Sequence, residues 1–489
     1  MKNQVGIIGA GIGGMASAIR LASEGFRVTV FEKNEMAGGK VGEFRENGFR
    51  FDMGPTVFTL PELIDELFHK AGKEPSEYFS YKALDQSCRY FYEDGTIIDA
   101  YADPEQFAAE LASKTGEPHE NVHKFLRKSK DLYDLTANIF VFNSIHDPRD
   151  LLTKDVLKGL LNFHRIDAFK TMHGANRKRF NNDKVVQLFD RYATYNGSSP
   201  YRAPGTLNII PHLEHNRGVY FPEKGMYSVV EALQKLAESL GVEFRFNTPV
   251  KKLVAGEREV KSIITDNGEH QFDYLVNDSD VNYFYSNLLR DQKFLKKHLK
   301  HEKSSSAVIF FWGVMNRFPK LKLHNILFSK DYVAEFDQLF NHKLIHRDPT
   351  VYLFIGSKAV EDDAPVGSEN WYVMVNAPEN TGQNWSKLIK NVRRDIVVKI
   401  NRMLGINIER FIAYERVMYP GTIEERTSSW RGSLYGNSSN GRYAAFNRHP
   451  NFSRKYRNLF FTGGSVHPGG GIPLCLASAK IVEDKIRRR

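Results

Sequence analysis

This 489-residue sequence predicts an α/β fold in which a parallel sheet is interleaved with a second unit of mixed sheet and helices. Three observations carry that expectation. The glycine-rich turn Gly9-Ala10-Gly11-Ile12-Gly13-Gly14 stands between an apolar strand and an amphipathic helix. Strand-like segments recur on both sides of a long helical stretch, and a second glycine-rich run, from 463 to 471, lies near the other end. At about 150 residues per domain the length corresponds to roughly three units. With 41% hydrophobic and 26% charged residues, the composition excludes disorder and small stapled scaffolds. Cys88 and Cys475 are the only cysteines, which excludes a disulfide framework or a cysteine-rich metal module and fits a reducing cytoplasm.

Gln4 to Ile8 is a short apolar strand, and Gly13 to Ser23 is a helix with Met15, Ala18, Ile19 and Ala22 on one face. Val28 to Phe31 is a second buried strand ending at Glu32, which completes a βαβ unit. Arg89 to Tyr101 is an antiparallel hairpin around Asp94-Gly95. From Pro104 to Ala193 helical patterns dominate, and a further helix ends near Ser239. Val242 to Phe246, Val250 to Val254 and Tyr274 to Val276 are expected to return to the first sheet. Ser306 to Met315, Val351 to Ile355 and Trp371 to Val375 suggest a second, mixed or antiparallel sheet. Leu459 to Thr462 is a last strand, followed by a glycine loop and a helix from Ile472. The expected cofactor domain is therefore discontinuous (1–88, 205–290 and 437–489), with the substrate domain in 89–204 and 291–436.

The balance of 68 Lys+Arg against 58 Asp+Glu gives a net charge of +10. That excess invites nucleic acid or an anionic membrane surface, but no nucleic-acid motif accompanies it, so no nucleic-acid partner is expected. The longest uncharged run, Asn458 to Ala479, is broken by glycines and prolines and cannot span a bilayer. Met1 to Gly9 lacks the apolar region of a secretory leader.

The turn fits G-x-G-x-x-G. Gly9 makes the tight turn and Gly11 lets the backbone approach a pyrophosphate, while Gly14 permits close helix–strand packing. Ile12 and Gly13 lie between them, and Glu32 stands about 20 residues on, where an acid accepts hydrogen bonds from a ribose. Gly38-Gly39-Lys40 offers a second close backbone approach and a cation for phosphate, and Gly54-Pro55-Thr56 is a stiff turn returning to the same region. Thr462-Gly463-Gly464 closes a strand, and Gly469 to Pro473 opens a helix whose N-terminus can stabilise negative charge on a reduced flavin. Together these signals favour FAD over NAD.

These residues, with Phe49 to Thr56, Tyr220 to Met226, Gly421 to Gly436 and His467-Pro468-Gly469-Gly470-Gly471-Ile472-Pro473, resemble the bacterial phytoene-desaturase-type carotenoid desaturases of the amine-oxidase-like FAD superfamily. The resemblance covers essentially the full length, and the pattern is more like the hydroxycarotenoid 3,4-desaturase branch. It implies a Rossmann-type FAD domain and insertion of a C=C bond into a long polyene, with hydride passing to flavin. The alternatives are a carotenoid isomerase using reduced FAD and a lipid carrier like the GDP-dissociation inhibitors. By position the resemblance adds Lys33, Val57, Val250, Asn277, Gly463, Gly464, Gly471 and Ile472 to the cofactor set. The sequence departs from the family pattern at Leu474, at Glu223-Lys224-Gly225, a site expected near the substrate, and at Val276-Asn277-Asp278-Ser279-Asp280.

No Ser-His-Asp, Cys-His or paired-carboxylate arrangement is recognisable, so no side-chain base is assigned. His467 is read as structural beside a backbone turn, and His212 and His215 as ordinary loop histidines, with no metal expected. The final electron acceptor is not identifiable from the residues. A water-insoluble polyene requires collection from a membrane, and a helical part near 132–180 suits peripheral contact. It carries Ile139 to Phe142, Leu151-Leu152 and Leu160-Leu161. Lys158, Arg165, Lys170, Arg177, Lys178 and Arg179 follow, with only Asp167 opposing them between Val156 and Asn182.

Overall fold

The computed structural model describes residues 3–489 except 152–155, 157, 158, 160, 161 and 163–165. Leu152, Lys158, Leu160, Leu161 and Arg165 of the expected membrane-contacting part therefore lie outside the described residues.

The βαβ unit forms as expected: strand β1 (Gln4–Ile8), helix α1 (Ile12–Ser23) and strand β2 (Arg27–Phe31). They belong to a five-stranded sheet in the order Leu459–Phe461, Tyr274–Asn277, β1, β2, Glu243–Arg245. Every pairing in it is parallel. Four of the five residues in β1 and in β2 are buried, as a parallel strand covered on both faces requires. Helices Tyr227–Ser239 and Ile472–Arg487 pack beside α1.

Val250 to Val254 departs from expectation. Lys252–Ala255 joins Val260–Thr265 and Gly268–His270 in a separate antiparallel sheet of three strands. The reason is local. The short turn at 256–259, closed by the Gly256 amide on the Glu259 carbonyl at 2.8 Å, pairs the strand with Val260–Thr265. Asp266-Asn267-Gly268 adds the third strand, and the alternation of Lys and Ser with Leu, Val and Ile suits a sheet with one wet face.

A seven-stranded sheet forms the second layer, in the order Ile412–Met418, Ser306–Val314, Glu369–Ala377, Val351–Ile355, His324–Leu327, Gln86–Phe91, Ile97–Tyr101. It is antiparallel except where His324–Leu327 runs parallel to Gln86–Phe91. All nine residues of Ser306–Val314 are buried, so this strand is central on both faces. The helical stretch covers the hairpin side. It includes Pro104–Thr115, capped by the Asp103 side chain, and His119–Phe140.

Two charged clusters lock these layers. The buried Arg50 guanidinium bonds Asp52 at 2.9 Å, Asp363 at 3.0 Å and Glu43 at 2.6 Å. Asp52 also accepts the amides of Met226 and Tyr227 and so fixes the start of helix Tyr227–Ser239. At the end of helix Ile472–Arg487, the Lys485 ammonium lies 2.5 Å from Asp147 and 2.7 Å from Asp150.

Candidate functional site

A cavity of about 460 Å³ starts at the C-terminal end of β1 and continues between the two large sheets. Its near wall is almost all backbone. Gly9 has φ +100°, and a Cβ on Gly14 would lie 2.1 Å from the Gly9 carbonyl oxygen. A Cβ on Gly13 would meet the backbone of Gly463 at 2.8 Å. The Gly38 amide donates to the Ala10 carbonyl at 2.8 Å, which holds the second glycine loop against the first. Glycine is demanded by space at Gly13 and Gly14 and by the positive φ at Gly9.

Of the expected set, Gly9, Gly11, Ile12, Gly13, Glu32, Lys33, Gly38, Gly39, Lys40, Gly54, Pro55, Thr56, Val57, Val250, Gly464, Gly471 and Ile472 line the cavity. Gly14, Asn277 and Gly463 stand behind the wall. Gly14 serves helix–strand packing, and Gly463 packs on Gly13 and Asp278. The Asn277 side chain turns to Ser279, bonding its carbonyl and hydroxyl at 2.9 and 2.6 Å. Glu32 is 5% exposed, and its carboxylate accepts the amides of Ala10 and Asn34, both at 2.9 Å. Lys40 is not a free cation: its ammonium donates to the Leu434 and Ser433 carbonyls at 2.5 and 3.3 Å. Lys33 likewise donates to the Glu425 carbonyl. Glu223, Lys224 and Gly225 are absent from the lining; Gly225 packs on Arg50, and Glu223 accepts from Ser80.

Arg426 and Asp278 are among the lining residues to which the sequence assigned no role. Arg426 donates to the Gly39 carbonyl at 2.7 Å, and among the described residues no carboxylate pairs with it. Asp278 is wedged against Gly9, Gly11, Gly13, Gly14 and Gly463. Burial pushes its carboxyl up to about 7, against the pull of the Gly14 and Gly11 amides and of Lys40. Neither residue carries a local sequence signal, because each meets the glycine turns only through the fold.

At the last helix, Gly471 has φ +116°, and the space where its Cβ would stand is open. His467 is 1% exposed, bonds the Asn143 carbonyl at 2.8 Å and is absent from the cavity lining, which is a structural role. His212 and His215 are buried in the helix Ile210–His215 rather than in a loop. His212 bonds Asn216, and His215 bonds Tyr192 and stacks on Phe107.

The far end of the cavity is made of side chains. Ile309, Ile326, Tyr372, Met374 and Met418 line its walls. Arg191, Tyr195, Glu214 and His324 add a polar group. Arg191 bonds Glu214 at 2.9 Å and the Tyr90 hydroxyl at 2.8 Å. Tyr195 donates to Glu214 at 2.6 Å, and Tyr192 donates to it as well. Burial resists a charge on Glu214, but Arg191 outweighs it and holds the carboxyl below its ordinary range. His324 bonds the Tyr352 hydroxyl at 2.8 Å, and Tyr352 bonds Thr56 at 2.6 Å. Burial pushes the His324 imidazole down to about 4, so it is neutral at pH 7.

The match to known proteins follows this geometry. Residues 12–482 match the family described as flavin containing amine oxidoreductase. The chain belongs to that family. It is 48% identical over 486 residues to a 1-hydroxycarotenoid 3,4-desaturase of Flavobacterium sp. (strain P99-3), covering 99% of both chains. It is 32% identical over 495 residues to a 4,4'-diaponeurosporene oxygenase of Staphylococcus aureus (strain MSSA476), covering 100% of this chain and 99% of the relative. Among solved structures, cyclohexylamine oxidase from Brevibacterium oxydans IH-35A shares the fold at TM-score 0.61 and 14% identity, covering 100% and 99% of the two chains. Putrescine oxidase bound to putrescine does so at 0.64 and 13%, covering all of both chains.

The cofactor of this flavin-family chain is FAD, and the cavity fits it. The near wall has no side chains where a diphosphate must come close, with half-buried Arg426 beside it and Glu32 beyond. Open space at Gly471 faces the start of a sixteen-residue helix. Cys88 and Cys475 also line the cavity, and burial pushes both thiols up to about 12, which keeps them protonated.

Proposed function

We propose that the chain is an FAD-dependent carotenoid desaturase that forms the C3–C4 double bond of a 1-hydroxycarotenoid. The observation that carries this reading is the 48% identity over 99% of the chain to an enzyme named for that reaction. The relatives do not favour the isomerase or the lipid carrier. FAD supplies a hydride acceptor when bound. Glu32 holds the ribose, Gly9, Gly11 and Arg426 the diphosphate, and Gly464, Gly471 and Ile472 the flavin end. The apolar wall of Ile309, Ile326, Tyr372, Met374 and Met418 excludes water from the polyene.

Incubating the flavin-loaded enzyme with a 1-hydroxylated polyene tests the reading. The expected product is lighter by two hydrogens, and its absorption is shifted to longer wavelength by one added conjugated bond. A product of unchanged mass would support the isomerase, a product with added oxygen an oxygenase, and a bound but unaltered polyene the carrier.

We infer peripheral membrane contact as well, on a face that shares Phe169 with the expected part near 132–180 and adds the loop around Arg442 to Phe446. No helix among the described residues is long and apolar enough to cross a membrane. Leu132 and Leu135 are buried against Ile166, Arg177 pairs with Asp183, and Arg179 is bonded to Asp167 and the Ala175 carbonyl. Among the exposed apolar side chains of the described residues, Phe169 at 72%, Tyr443 at 65% and Phe446 at 55% stand near this part of the molecule. Phe446 meets Phe140 edge-on, and Arg442 lies over Phe169, so the two loops share one face. Tyr443→Asp with Phe446→Asp is expected to abolish flotation with anionic liposomes. Unchanged flotation would reject this face.

A further inference from the structure

The polar group Arg191, Tyr195, Glu214 and His324 includes none of the residues assigned above to FAD, and an apolar polyene chain gives it nothing to bind. Its residues are nonetheless buried: His324 is 3% exposed, Glu214 3% and Arg191 6%. The Glu214 carboxylate is saturated by Arg191, Tyr192 and Tyr195. His324 is not. Its Nδ1 meets the Tyr352 hydroxyl at 2.8 Å, whereas its Nε2 is buried with no partner in the protein. Arg191 also has capacity left, since its Nη1 has only a long contact of 3.4 Å to the Tyr195 hydroxyl. Buried polar groups are normally bonded, so an orphan on a ligand cavity points to a ligand.

We propose that His324, backed by Arg191 and Glu214, binds the hydroxyl-bearing end of the polyene and selects it over a hydrocarbon end. The inference rests on the desaturase reading above and deepens it. A neutral imidazole suits a hydroxyl, which both donates and accepts, because either tautomer leaves Nε2 one bond to make. The position suits the chemistry too. In a 1-hydroxy substrate desaturated at C3–C4, the hydroxyl carbon is two carbon–carbon bonds from C3. Whatever holds the hydroxyl therefore also places the reacting bond. The chain His324–Tyr352–Thr56 ties that hold to the Gly54-Pro55-Thr56 turn, which lines the same cavity as the flavin-binding glycines. His324 is thus a specificity and positioning residue.

The test compares a 1-hydroxylated polyene with its deoxy counterpart on flavin-loaded enzyme. Binding is followed by quenching of protein fluorescence, and turnover by chromatography of the products. The parent should prefer the hydroxylated polyene by about tenfold to a hundredfold in Kd. His324→Leu should bring that ratio close to one, and His324→Gln, which retains a polar end, should keep part of it. Tyr352→Phe should lower the ratio severalfold and carries the comparison if His324→Leu fails to take up flavin. A parent without preference would overturn the inference, and so would a leucine variant that keeps it. Equal losses on both polyenes would also overturn it, because they would mark His324 as a general base or a packing residue. A binding preference in the parent with no desaturated product would support the pocket and reject the desaturase reading.

Discussion

The two ends of the cavity solve opposite problems. At the glycine end, protein atoms crowd so closely that added Cβ atoms would stand 2.1–2.9 Å from backbone at Gly13 and Gly14. Recognition there is by backbone, with Glu32 and Arg426 at the margins. At the other end, Arg191, Tyr195, Glu214 and His324 project from elements far apart in the chain, and recognition is by side-chain chemistry. Changes at the glycine end should therefore act on cofactor and turnover together, whereas changes at the side-chain end should act on substrate choice.

The largest effect is expected at Gly471. A side chain there enters open cavity at φ +116°, where an L-residue is strained and where the proposed flavin end of the site lies. Gly471→Val should lower turnover about a hundredfold or more and alter the flavin absorption spectrum. Full activity with an unchanged spectrum would remove Gly471 from the flavin site. Glu32 comes next. Losing a charge-assisted hydrogen bond of about 1.5–3 kcal/mol should make Glu32→Ala release FAD roughly tenfold or more faster under dialysis. Glu32→Gln should fall between variant and parent, because its amide oxygen can still accept the Ala10 or Asn34 amide.

The smallest effect sharpens the contrast by pH. The Asp278 carboxyl is raised from 3.8 to about 7, chiefly by burial, with the charge of Glu32 adding to it. Folding therefore favours the protonated form. The stability this group contributes is complete below about pH 4 and is lost as pH rises through about 7. Asp278→Asn keeps an acceptor for the Gly11 and Gly14 amides but cannot ionise. The variant holoenzyme should melt above the parent at pH 8, and the gap should narrow at pH 5. A gap independent of pH would mean that Asp278 is ionised throughout.

The same contrast explains what could be read in advance. Gly9, Gly11, Gly14 and Glu32 were legible because a turn between a strand and a helix constrains them within thirty residues. Arg426, Asp278 and His324 were not, since their roles exist only after strands hundreds of residues apart are paired. Lys40 and Asn277 show the converse. Each has the chemistry of a ligand-binding residue, but nearby backbone or Ser279 already takes its polar atoms. The strand near Val250 belongs to another sheet although its own residues resemble an edge of the parallel sheet, because the turn at 256–259, where the Gly256 amide donates to the Glu259 carbonyl, pairs it with Val260–Thr265.

The five-stranded sheet has a kinetic consequence. Its middle strand, Gln4–Ile8, is flanked by Arg27–Phe31 and by Tyr274–Asn277, and the latter pairs with Leu459–Phe461. Contacts between segments so distant in sequence pay loop-closure entropy before they return any energy, so such a topology assembles slowly. The glycine wall draws on these same segments. FAD then binds only the assembled state, and mass action makes the cofactor a guard against unfolding of the whole sheet rather than of one loop. Flavin supply during expression should accordingly govern how much intact protein accumulates, quite apart from how fast the protein works.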